Sequence, residues 1–93
     1  MVIGVCTVEL YLPNGHSLKA KRQVLSSLKI RLSQSFNVSV AEVGDQDLWQ
    51  KAVLGIACVA TETGQANRVL DQVVNAIQSN PLLELLQVKM ELL

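Results

Sequence analysis

From Val2 to Leu12 the chain alternates without a break, with Val2, Cys6, Val8, Leu10 and Leu12 on one side and Ile3, Val5, Thr7, Glu9 and Tyr11 on the other. A two-residue period of this length is a strand with two distinct faces, and both faces here carry apolar side chains. The first strand is therefore central in a sheet, and whatever follows must supply its neighbours and a layer of cover.

Pro13-Asn14-Gly15 breaks the alternation. Proline presets its own φ, asparagine and glycine tolerate the left-handed region, and Ser17 is placed to cap the helix that follows. That helix is expected from about Leu18 to Ser35. Leu18, Leu25, Leu28, Leu32 and Phe36 recur at helical spacing, with Val24 at the margin, while Lys19, Arg22, Ser26 and Lys29 fall opposite. Lys21 breaks the pattern, because it projects into the apolar stripe one turn before Leu25 and two before Leu28.

The period returns to two over Phe36–Val43, with Val38, Val40 and Glu42 on one face, and again over Lys51–Thr61, with Leu54, Ile56 and Cys58 on one face. The polar stretch Gly44–Gln50 joins these strands as a hairpin loop. Beyond Thr63-Gly64, the residues Ala66, Val69, Leu70, Val73, Val74 and Ile77 define a second amphipathic helix, stopped by Asn80-Pro81, and residues 83–92 give a last strand. The order strand, helix, strand, strand, helix, strand predicts an α+β ferredoxin-like sandwich: a four-stranded antiparallel sheet with two helices on one face, in a single domain over residues 1–93.

Size and composition sharpen this. A chain of 93 residues buries only roughly 60 to 65% of its unfolded surface. Yet 49% of its residues are hydrophobic and only 3% aromatic, which is more aliphatic surface than so small an interior takes up. The sheet face away from the helices, with Ile3, Val5, Tyr11, Val43, Val53, Val59 and Leu85 among polar Thr7, Glu9, Gln87, Lys89 and Glu91, is expected to be covered by a second copy in a homodimer. No apolar run nears the roughly 20 residues of a bilayer span, and no basic segment leads an apolar one at the start, so the reading is of a cytoplasmic protein without a membrane partner.

Cys6 and Cys58 fit neither a metal-ligand spacing nor a redox pair. Their parity places both on the helix-facing side of neighbouring strands, as reduced, unbonded thiols. One histidine and scattered carboxylates suggest no metal site, no cofactor and no catalytic triad, so no catalytic residue is assigned and a noncatalytic protein is favoured.

Two groups remain as candidates. The net charge is zero, but all charges between residues 10 and 41 are positive, and Lys19, Arg22, Lys29 and Arg31 form a basic helix able to neutralise phosphates of RNA or the ribosome. The fold also gathers His16, Lys21, Glu42, Asp47 and Trp49 at one edge, as a structural cluster or as the pocket of a small-molecule-binding protein or enzyme. Lys21 and Glu42 each lie on the apolar side of their own element, where an unpartnered charge loses hydration worth several kcal/mol. A direct or water-bridged pair is expected, with Asp47 the next candidate partner.

The segments Leu12-Pro-Asn-Gly-His-Ser-Leu-Lys-Ala-Lys-Arg22, Phe36-Asn-Val-Ser-Val-Ala-Glu-Val43 and Asp47-Leu-Trp-Gln50, followed by Leu54-Gly55, resemble the bacterial DUF503, or YlxP-like, family of small proteins. The resemblance covers nearly the whole chain. It implies a ferredoxin-like fold, a dimer, and a genomic neighbourhood of translation initiation and ribosome maturation factors; it carries over no catalytic residue.

Overall fold

The computed structural model describes residues 1–93. Six elements follow in the expected order: strand β1 (Val2–Tyr11), helix α1 (Leu18–Ser35), strands β2 (Ser39–Gly44) and β3 (Lys51–Ala60), helix α2 (Thr63–Gln78) and strand β4 (Glu84–Leu92). The strands lie in the order β2-β3-β1-β4, every pair antiparallel, which is the ferredoxin-like α+β sandwich. Strand β2 begins three residues later than the alternation suggests. Phe36 has left the helix in an extended conformation and closes it with a bond from its amide to Leu32, so the first residues of the apparent alternation turn the corner.

The core lies between the sheet and the two helices. Cys6, Val8 and Leu10 of β1 and Leu54, Ile56 and Cys58 of β3 meet Leu25, Leu28 and Leu32 of α1 and Ala66, Leu70, Val73 and Ile77 of α2, all buried. Helix α2 sits close on β1. A Cβ at Gly4 would stand 3.0 Å from both Cys58 Sγ and Leu70 Cδ1, so glycine is what permits this approach. Both thiols are buried and unbonded on the helix side, as their parity requires, with Gly4 rather than Cys6 directly across from Cys58. Burial pushes the Cys6 thiol above its ordinary value of 9.0, and the charge of Asp71 adds to this.

Two irregularities decide which side chains point where. The ladder between β1 and β4 shifts after Glu9, so Leu10 faces Leu85 rather than Leu86. Leu85 therefore packs against the core instead of joining the open sheet face, and Leu86 is 48% exposed. The expected open face loses Leu85 for this reason: an inserted residue inverts the parity on one side of it. The second shift lies between Glu42 and Gly44, where Val43 is the extra residue.

Candidate functional site

Ser17 Oγ accepts a hydrogen bond from the Ala20 amide at 3.1 Å, which fixes where α1 begins and hence where Lys21 stands on it. Opposite, Leu54 is buried in β3 and its partner across the ladder is Glu42, so Glu42 leaves β2 on the helix side of the sheet. The bulge at Val43 then swings the chain into the turn Asp45–Leu48, closed by the Leu48 amide donating to the Asp45 carbonyl at 3.1 Å. Asp45 takes the left-handed conformation, φ 56°, that the turn needs and that aspartate accepts more readily than most residues.

The Lys21 side chain reaches into this turn and is 1% exposed. Its ammonium donates to the carbonyl of Asp45 at 2.6 Å and to that of Leu48 at 2.7 Å, and stands 3.0 Å from Oε2 of Glu42. The approach to Oε2 lies outside hydrogen-bond alignment, so that buried oxygen is held by charge alone. The expected contact between Lys21 and Glu42 is thus present, but Asp47 is not the second partner. Asp47 is exposed, and backbone carbonyls occupy the place its carboxylate was expected to fill. Two of the ammonium's three N–H groups are spent on carbonyls of the turn and its charge is set against Glu42, so drawing it toward a substrate would dismantle the turn.

His16 and Trp49 stand on the outer side of the same loops. With Gly15, Leu48, Gln50 and Lys51 they line a shallow, open recess that includes neither Lys21 nor Asp47. The two loops are pressed together beneath it. Leu12 donates its amide to the Gln50 carbonyl at 2.7 Å, and a Cβ at position 15 would come within 2.6 Å of the Trp49 carbonyl oxygen, so only glycine fits there. The structure therefore divides the expected cluster in two: Lys21 with Glu42 inside, His16 with Trp49 outside.

On the outer surface of α1, Lys19, Arg22 and Arg31 surround a furrow with Gln23, Ser26 and Ile30 on its floor and walls. Lys29 is half-buried on the helix flank and does not line it. Since the Lys21–Glu42 contact is the only ion pair in the protein, all four of these cations are free of carboxylates. Sequence reasoning missed Ile30, 55% exposed at the centre of this polar face, and the two carbonyl acceptors of Lys21. A pattern of side chains carries no sign of a main-chain acceptor; the Gly44-Asp45 pair hinted only at a turn.

The open sheet face carries Val43, 58% exposed, beside a groove floored by the small residues Ala41, Gly55 and Ala57 and bounded by Val5, and Val59, 61% exposed, farther along β3. No three histidine, cysteine or acidic side chains converge anywhere, and no helix is long and apolar enough to cross a membrane.

The de novo designed protein Foldit4 superposes with a TM-score of 0.49 at 14% identity, over 98% of this chain and 97% of that one. A protein of Bacillus subtilis (strain 168), described as "Uncharacterized protein YlxP", is 39% identical over 83 residues, which span 89% of this chain and 90% of the relative. The family described as "Protein of unknown function (DUF503)" matches residues 3–90, so the chain belongs to the DUF503 family.

Proposed function

We propose that this protein is a noncatalytic, cytoplasmic binding module that works as a homodimer and holds RNA, free or within the ribosome, on the outer face of α1. The observation that carries the reading is the set of unpaired cations, Lys19, Arg22 and Arg31, around one furrow of α1, beside the half-buried Lys29. Cations that no carboxylate offsets are available to displace counterions from a phosphate backbone. The alternative, a small-molecule pocket or active site built on His16, Lys21, Asp47 and Trp49, is less well supported. Its lysine is committed to two carbonyls and to the charge of Glu42, and the recess beside His16 and Trp49 is open.

The homodimer reading draws on the open sheet face. Protruding Val43 beside a groove of Ala41, Gly55 and Ala57, with exposed Val59 farther along β3, gives this face both ridge and hollow, as a self-complementary twofold contact requires. Val59→Glu, followed by sedimentation, tests it: a fall in mass supports the face, and an unchanged dimer rejects it.

For RNA the test is anisotropy of a labelled generic single strand at two salt concentrations. Three phosphate contacts predict a slope of about −2 in log K against log salt. Lys19→Ala, Arg22→Ala and Arg31→Ala together should abolish binding without changing the melting temperature. Absence of binding at low salt, or binding indifferent to the triple change, would remove the reading.

A further inference from the structure

The two edges of the sheet are unlike. At one, β2 is six residues long and bulged at Val43, features that discourage another strand from pairing there. At the other, β4 runs from Glu84 to Leu92, contains no proline, and is regular from Gln87 onward. On the helix side of this edge Met90 and Leu92 are 39% and 42% exposed, although their partners across the ladder, Cys6 and Gly4, are buried beneath the helices. A contact across the open face cannot cover these two side chains, because they lie on the other side of the sheet.

The hydrogen-bond phase of β4 is fixed by one pair. Ile3 and Leu93 exchange both backbone bonds, at 3.0 and 2.7 Å. Bonded and non-bonded pairs alternate along an antiparallel ladder, so Glu91, Lys89 and Gln87 spend their backbone groups on β1, while Leu92, Met90 and Val88 turn theirs outward. Only a register that pairs outward residues with outward residues can extend the sheet.

We infer that β4 pairs with β4 of a second copy, antiparallel about a twofold axis at Met90, joining two sheets edge to edge. In this register Met90 meets Met90, Val88 meets Leu92, and all are outward-bonding residues, giving about six backbone hydrogen bonds. On the open face the same register places Lys89 of each copy opposite Glu91 of the other. The segment Val88-Lys89-Met90-Glu91-Leu92 reads as its own complement: apolar, positive, apolar, negative, apolar. Centring the axis on Lys89 or Glu91 also pairs outward residues with outward ones, but it sets like charges directly opposite each other on the open face. Centring it on Val88 sets Met90 against Leu86, where the bulge interrupts the spacing. The contact is independent of one across the open face, and the joined sheet leaves that face accessible.

Charge exchange on exposed positions tests this without disturbing the fold. Lys89→Glu should weaken self-association on the order of tenfold, since both symmetric pairs become repulsive. The double change Lys89→Glu with Glu91→Lys should restore it, and an equimolar mixture of the two single variants should associate as well as the wild type. Met90→Cys should cross-link to dimer with a short bifunctional thiol reagent, whereas Lys51→Cys should not. If Lys89→Glu leaves association unchanged and Met90→Cys stays monomeric under the reagent, the edge contact is wrong. Val59→Glu separates the two surfaces: loss of dimer in that variant with no Met90→Cys cross-link leaves the open face alone, and a cross-link that survives it supports the edge.

Discussion

Helices α1 and α2 perform the same task by different means. Helix α2 buries only apolar residues, Ala66, Leu70, Val73 and Ile77, and begins at Glu62 without a side-chain cap. Helix α1 buries Lys21 along with Leu25, Leu28 and Leu32, and is capped by Ser17. The first is placed by shape, through the close approach at Gly4; the second is placed at one end by a cation inserted into a loop 24 to 27 residues away. Shape tolerates small errors of rotation at modest cost. A buried charge does not, because displacement by an ångström or two strands it among apolar neighbours.

The largest expected effect breaks this contrast at its polar end. Lys21→Met fills nearly the same space, leaves no cavity, and yet should cost about 3 to 4 kcal/mol in urea unfolding, because Glu42 and two carbonyls lose their cation. Adding Glu42→Gln should recover about 1 to 2 kcal/mol of that by removing the stranded charge. At the apolar end, Leu70→Ala should cost about 3 kcal/mol through an ordinary cavity, and the loss should not be relieved by any change in charge. A Lys21→Met variant as stable as the wild type would show that the turn holds α1 without the ammonium.

Ser17→Ala should cost about 1 kcal/mol and increase hydrogen exchange in the first turn of α1 alone, leaving α2 unchanged. The smallest effect concerns Cys6 beneath α2. Its folded value is raised, so in the unfolded chain the thiol ionises first. Its contribution to stability is then complete below the ordinary value of 9.0 and is lost as pH rises through the higher folded value. Cys6→Ala should flatten the alkaline limb of the stability profile, measured by melting temperature against pH.

Much of this was legible in the residues. Uninterrupted alternation fixed the face of every β1 side chain, and helical spacing named the buried residues of α2 completely. Lys21 and Glu42 betrayed each other because each was out of place in its own pattern. Leu85 was misassigned because a bulge adds a residue without any compositional mark, and every parity beyond it inverts. The carbonyls of Asp45 and Leu48 were invisible for a different reason: every residue has one, and only the path of the turn decides which is presented.

An anchor that grips main-chain oxygens of Asp45 and Leu48 makes no demand on the side chains between them, so Gln46 and Asp47, both exposed, are free of any duty to α1. The hairpin tip can therefore be rewritten, by drift or by design, while its path stays pinned from within. It is a ready seat for grafted recognition sequences, where foreign side chains would be displayed at the cost of one exposed hydrogen bond, from Gln46 to the Glu42 carbonyl.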